Sequence, residues 1–165
     1  MGFSIYLSGF AEMLLRCLLG TIFEKFILQG YYRYMILQGK HILIGITGGI
    51  AAYKICDLIR QFKKNGAEVK VIATPNALNF VTKLTLQNLS QNEVYVQEFD
   101  VKEWKPEHIS LADESDVFVI APASANTIGK IAQGIADNLL TSVACAFSKK
   151  MIIAPAMNYN MWNNQ

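Results

Sequence analysis

The sequence predicts an α/β domain built on a parallel β-sheet. Three observations predict it. Short apolar runs rich in β-branched residues recur from Lys40 onward, each ends in small or polar residues, and stretches with helical apolar spacing separate them. The run His41 to Thr47 (HILIGIT) suits a strand buried on both faces, and Gly48-Gly49 then turns the chain into a helix. Ile50 to Asn65 is predicted to be that helix, because Ile55, Leu58, Ile59 and Phe62 fall on one face and Asn65-Gly66 is a stop signal. Val69 to Ala73 is the second strand, followed by a mostly helical stretch from Ala77 to Gln91. Val117 to Ala121 forms a strand ending at Pro122, and Met151 to Ala154 another ending at Pro155.

These elements assemble as a Rossmann-like (flavodoxin-like) three-layer sandwich. In open α/β sheets, ligands collect beyond the carboxyl ends of the strands. Four segments are therefore expected to line one crevice: Thr47 to Ile50, Thr74 to Asn76, Pro122 to Thr127, and Pro155 to Asn158. No internal repeat or low-complexity tract interrupts the pattern.

Composition narrows the function classes. The chain has 165 residues, 52% hydrophobic and 17% charged, and its 15 basic and 13 acidic residues leave a net charge of +2. That is one globular domain with a substantial core, not a disordered tail or a polybasic nucleic-acid binder, so small molecules are the expected partners. Cys17, Cys56 and Cys145 are odd in number and lack metal-ligand spacing. They read as reduced, buried thiols of a cytoplasmic protein, with no metal site.

Composition shifts near residue 40. Residues 1–39 hold 24 hydrophobic positions and 8 of the 18 aromatics. Glu12, Arg16, Glu24, Lys25 and Arg33 break this segment, so no uncharged run approaches the roughly 18 residues a membrane span requires. A secretory signal would need a basic start, and Met1 to Ala11 carries no charge. An interfacial amphipathic helix and an added helical hairpin stay open; the reading adopted is an extension ahead of a natural start at Met35. The domain is expected to span residues 40–165.

The turn Thr47-Gly48-Gly49-Ile50-Ala51-Ala52 opens a helix with exposed N–H groups, which suits a phosphate. It lacks both the G-x-G-x-x-G and Walker patterns, and a tight strand-to-helix turn needs glycine with or without a ligand. Thr74 and the run Ser124-Ala125-Asn126-Thr127 add hydroxyl and amide groups at neighbouring strand ends, while Ser124 also reads as a helix N-cap.

Three motifs carry a resemblance: Gly45-Ile46-Thr47-Gly48-Gly49-Ile50-Ala51-Ala52-Tyr53-Lys54, Pro122-Ala123-Ser124-Ala125-Asn126-Thr127, and Pro155-Ala156-Met157-Asn158-Tyr159-Asn160-Met161-Trp162. Over residues 40–163 the chain resembles the phosphopantothenoylcysteine decarboxylases, which belong to the homo-oligomeric flavin-containing cysteine decarboxylases. In bacteria that domain is commonly fused to a ligase that joins cysteine to phosphopantothenate.

The resemblance implies FMN as cofactor and 4′-phospho-N-pantothenoylcysteine as substrate, decarboxylated to 4′-phosphopantetheine in coenzyme A biosynthesis. A flavin serves there as the electron sink, since direct loss of CO₂ would leave an unstabilised carbanion. It further implies that Gly48, Gly49, Ile50, Thr74, Asn76, Ser124, Ala125, Asn126, Thr127 and Ala156 contact the cofactor. Within Glu107-His108-Ile109-Ser110-Leu111-Ala112-Asp113, His108 matches the active-site histidine, a base near neutral pH. Asn158 matches the asparagine that grips the substrate carboxylate, although a loop-turn asparagine would read the same way. Met157 and Met161 receive only a lining role, and His41 has no match and reads as structural. The implied assembly is a homotrimer or dodecamer, with a separate or fused ligase domain as a further partner.

Members of that family continue into a mobile substrate clamp carrying a cysteine, and none of Cys17, Cys56 and Cys145 occupies its place. A fragment, or one half of a split pair, is thus expected. Two alternatives stay open: a related flavoprotein of the same fold, either a peptidyl-cysteine decarboxylase or a flavin prenyltransferase, and a non-catalytic FMN-binding subunit.

Overall fold

The computed structural model describes residues 36–97 and 107–164. The expectations for residues 1–35, including Cys17 and the choice between helix and extension, lie outside the described residues. Among these, no helix is long and apolar enough to cross a membrane. The compact unit begins at Leu37, which already packs against the core and donates its N–H to the carbonyl of Asn65 at 3.0 Å.

Five parallel strands form one sheet: β1 (His41–Ile46), β2 (Glu68–Ala73), β3 (Val94–Tyr95), β4 (Val117–Ala123) and β5 (Lys150–Pro155), in the order β3-β2-β1-β4-β5. This is the doubly wound order, and the two-residue β3 only lengthens one edge; without it the order is that of flavodoxin-like sheets. The chain winds to one side of β1 as far as β3, then crosses back to lay β4 on the other side. The helices are α1 (Ile55–Lys64), α2 (Lys83–Ser90), α3 (Glu107–Glu114), α4 (Ala125–Ala132), α5 (Leu139–Ala146) and the single turn α6 (Tyr159–Trp162).

Side-chain alternation along the strands builds two cores. Ile42, Ile44 and Ile46 of β1 face the layer of α1 and α2, with Val69 and Val71, Ile55 and Ile59, and Leu86. Leu43 faces the opposite layer, where Phe118 and Ile120 meet Leu111 of α3 and Leu139, Leu140 and Val143 of α5. The three-layer sandwich expected from the sequence is therefore present. Gly45 lets α5 approach β1 closely: a Cβ there would lie 3.0 Å from both Leu140 Cδ1 and the Phe118 ring. β5 is different, because Ile152 and Ile153 remain exposed on this outermost strand.

Four local expectations need correction. The stretch Ile50 to Asn65 is two elements, a 3-10 turn over Ile50–Lys54 followed by α1. The α-helix begins where the apolar face begins, at Ile55, whereas Ile50 is 76% exposed and has no core to pack on. The stretch Ala77 to Gln91 also divides, into a 3-10 turn at Pro75–Asn79 and α2. Thr82 starts α2 afresh by accepting the Thr85 N–H on its hydroxyl at 3.2 Å, and Gln91 ends it in the left-handed region at φ 58°. β4 continues through Pro122 to Ala123, with an irregular register against β5 between Ile120 and Ala123 that tolerates a residue without an N–H. Finally, Cys145 is exposed, because α5 buries its other face; Cys56 is half-buried, and burial raises the pKa of its thiol.

Two predictions follow from the packing. Leu43→Ala removes a fully buried side chain and should cost about 2–5 kcal/mol in urea unfolding, with the denaturant slope unchanged. Glu68 is held below the usual carboxylate range, first by the Asn92 amide donating to it at 2.6 Å and then by Lys63. A lowered folded-state pKa stabilises above the unfolded value and is lost as pH falls through the folded value. Glu68→Gln should therefore destabilise at neutral pH, by about 1 kcal/mol or less at this exposed site, and match the parent in acid; pH-dependent melting checks this.

Candidate active site at the carboxyl edge of the sheet

Every strand is parallel, so the segments after β1, β2, β4 and β5 emerge at the same edge. Backbone hydrogen bonds join them in sequence across that edge. The Thr74 N–H donates to Ile46 O at 2.9 Å, the Thr47 N–H to Pro122 O at 3.3 Å, and the Ala156 N–H to Ala123 O at 2.9 Å. The four predicted segments thus form one continuous rim. Its gap lies between β1 and β4, where the winding of the sheet reverses.

The two glycines of the first loop differ. A Cβ on Gly48 would sit 2.7 Å from the Cβ of Asn76, so close approach of the β1 and β2 loops requires glycine there. A Cβ on Gly49 would meet nothing within 4 Å, and its φ of −179° is open to any residue. Neither the backbone nor protein packing asks for glycine at Gly49. Beside this turn, the buried Thr74 hydroxyl has no hydrogen-bond partner among the described residues. An orphaned buried hydroxyl next to a turn with room over its backbone is the arrangement a polar ligand would complete.

Ser124 is the N-cap read from the sequence: its hydroxyl accepts the Thr127 N–H at 3.3 Å and lies 3.2 Å from the Thr127 hydroxyl. Ala125 and Asn126 form the first turn of α4, whose leading N–H groups have no helical acceptor. The segments at residues 47–50, 74–76, 122–127 and 155–158 carry no charged side chain. The polar groups these segments offer are therefore hydroxyls, amides and backbone N–H groups.

Asn158 caps α6. Its side-chain oxygen accepts the Asn160 N–H at 2.8 Å, which leaves the amide NH₂ to donate elsewhere. The turn reading and the binding reading are thus compatible. Ala156 and Met157 are half-buried, while Met161 is 55% exposed and lines no core.

His108 is half-buried on the first turn of α3. Only Ser115 and Asp116 separate α3 from β4, so the helix runs back along the sheet and its amino end lies toward the crevice edge. The far end is anchored: Lys149 donates to the carbonyls of Asp113 and Ser115 at 2.6 and 2.8 Å, and the Ser115 hydroxyl to Leu111 O at 2.8 Å. Lys149 escaped sequence reasoning, because nothing local marks a lysine that caps a helix 34 residues earlier in the chain. His41 is exposed at the start of β1, and its backbone N–H donates to Asp116. Among the described residues, no group of acidic, histidine or cysteine side chains could hold a metal. A groove of about 430 Å³ between α1 and the end of α2, lined by Arg60, Gln61 and Gln91 among others, contains none of the predicted site residues.

A family model for flavoproteins matches residues 33–165. The chain belongs to the Flavoprotein family. It is 46% identical over 132 residues to the coenzyme A biosynthesis bifunctional protein CoaBC of Bacillus subtilis, covering 78% of this chain and 32% of that protein. The chain thus spans about a third of the length of this curated relative. Among solved structures it resembles a PPC decarboxylase variant complexed with pantothenoylaminoethenethiol, with a TM-score of 0.67, 40% identity, and coverage of 76% of this chain and 71% of that one. It also resembles the FMN-dependent cysteine decarboxylase SpaF, with a TM-score of 0.74, 28% identity, and coverage of 78% and 74%. As a member of the Flavoprotein family the chain is expected to take a flavin, and the uncharged crevice, the open Gly49 backbone and the unpaired Thr74 hydroxyl fit that cofactor.

The two glycines give a paired prediction. Gly48→Ala should push the β1 and β2 loops apart and cost about 1–3 kcal/mol. Gly49→Ala should leave the melting temperature unchanged or slightly raised, yet weaken flavin binding measured by fluorescence quenching.

Proposed function

We propose that this chain carries the FMN-dependent decarboxylation of 4′-phospho-N-pantothenoylcysteine to 4′-phosphopantetheine in coenzyme A biosynthesis. The observation that carries the reading is the crevice whose loops carry no charged side chain, where nothing lies within 4 Å of a Cβ built on Gly49 and the buried Thr74 hydroxyl has no partner among the described residues. Its substrate rests on likeness: identity is 46% to CoaBC and 40% to PPC decarboxylase, against 28% to SpaF.

In this reading the N–H groups and small side chains of Gly48, Gly49, Ile50 and Ser124 to Thr127 hold FMN, with Thr74, Asn76 and Ala156 around it. When bound there, FMN would supply the electron sink that loss of CO₂ requires, with no net redox change. The free NH₂ of Asn158 donates to the substrate carboxylate without adding charge to the crevice, and its oxygen stays committed to the cap, which fixes the amide's orientation. His108, on the anchored helix α3, manages the proton.

Homo-oligomerisation, as a trimer or dodecamer, is supported by Ile50, Tyr53, Phe80 and Leu84, which are between 47% and 76% exposed on the loops and helix start flanking the crevice. A ligase domain, fused or separate, and a cytoplasmic setting complete the reading. A peptidyl-cysteine substrate is the second reading, because a peptidyl-cysteine decarboxylase is also among the similar solved structures, with a TM-score of 0.66 and 34% identity.

Reconstitution with excess FMN should give a yellow protein with a flavin spectrum; its absence would overturn the proposal. With 4′-phospho-N-pantothenoylcysteine, CO₂ release should fall by about 100-fold or more in His108→Asn. Asn158→Asp keeps the cap but sets a negative charge against the carboxylate, and should lose activity similarly. Turnover of a C-terminal cysteine peptide alone would select the second reading, and flavin binding without CO₂ release a non-catalytic subunit.

A further inference from the structure

Thr47 is 1% exposed, and its hydroxyl is used twice. It donates to the carbonyl of Pro122 at 2.6 Å and accepts the backbone N–H of Ser124 at 2.9 Å. The first loop and the Ser124 loop are thereby joined across the gap between β1 and β4 by one side chain. The backbone makes only one weak contribution to this connection. The regular β1–β4 register ends at Gly45 and Ile120, Pro122 has no N–H to extend the ladder, and the only backbone bond between the loops is the 3.3 Å contact from Thr47 N to Pro122 O. Ser124 is also the N-cap of α4, so whatever fixes its N–H fixes the orientation of the first turn of that helix relative to Gly48 and Gly49.

We infer that Thr47 is a positioning residue for the cofactor: its hydroxyl sets the spacing between the glycine turn and the Ser124 loop, and through it the affinity for FMN. The inference rests on the FMN reading above. The residue is 1% exposed and its hydroxyl donates and accepts within the protein, so Thr47 acts through the groups it holds and not by touching the ligand. Valine has the same shape but neither donates nor accepts, which leaves the Ser124 N–H without its partner. Serine keeps both bonds. Cysteine keeps a side chain of similar size with only weak hydrogen-bonding power.

The experiment compares the full-length parent with Thr47→Ser, Thr47→Val and Thr47→Cys, measuring FMN dissociation constants by fluorescence quenching, near-UV circular dichroism of bound flavin, and melting of the flavin-free proteins. Thr47→Ser should bind FMN within about threefold of the parent, and Thr47→Val and Thr47→Cys about tenfold or more weakly, with altered flavin dichroism at temperatures where all are folded. Parent-like affinity in a folded Thr47→Val or Thr47→Cys overturns the inference and leaves the FMN reading standing. If Thr47→Val does not fold, Thr47→Cys decides. A parent that binds no FMN overturns the FMN reading, and this inference with it.

Discussion

The pairing of β1 with β4 is the constraint on which the rest of the structure depends. Because the chain winds outward to β3 and then returns across β1, the loops that follow β1 and β4 leave in opposite directions over the sheet and cannot fill the space between them. Two cores, one on each face, hold the strands rigidly enough to keep that space at fixed dimensions. The crevice is thus a product of topology, and its lining is a product of the few residues that happen to end each strand.

That lining is neutral, and this shapes the chemistry open to it. A phosphate or carboxylate brought here meets dipoles, with no neutralising lysine or arginine in the loops themselves. Backbone N–H groups held by a rigid sheet need no reorganisation when charge arrives, which is how an uncharged site can still favour an anion. The same logic fits the role proposed for Asn158, an amide where a cation would also serve: its NH₂ would donate a hydrogen bond while leaving the net charge of the site unaltered.

Most of the architecture was legible in the sequence because burial on both faces leaves β1 and β4 as nearly continuous apolar runs. The crevice segments could then be read as whatever follows each run. The two-residue β3 was not legible, since Val94 and Tyr95 are too few to show a period. The broken helices at Ile50 to Asn65 and Ala77 to Gln91 were misread for a related reason: α-helical packing starts with the continuous apolar face, and each preceding turn buries only one small residue, Ala52 or Ala77. Ser124 could be recognised as a cap from its local context. The two hydrogen bonds of Thr47 span 75 and 77 residues of chain, and the helix cap from Lys149 spans 34 and 36, so no local pattern could have announced either.

The backbone bonds from Thr74 to Ile46, Thr47 to Pro122 and Ala156 to Ala123 have a bearing on how such a crevice could diversify. None of them involves a side chain. Away from Gly48, where a Cβ would meet Asn76, and Thr47, whose hydroxyl bridges two loops, the rim therefore keeps its path when residues along it are exchanged, and selection can try new hydroxyls, amides or apolar groups against a different ligand without first having to rebuild the frame. Divergence by repainting a fixed outline should leave descendants whose main chains still superimpose long after their preferences for small molecules have parted.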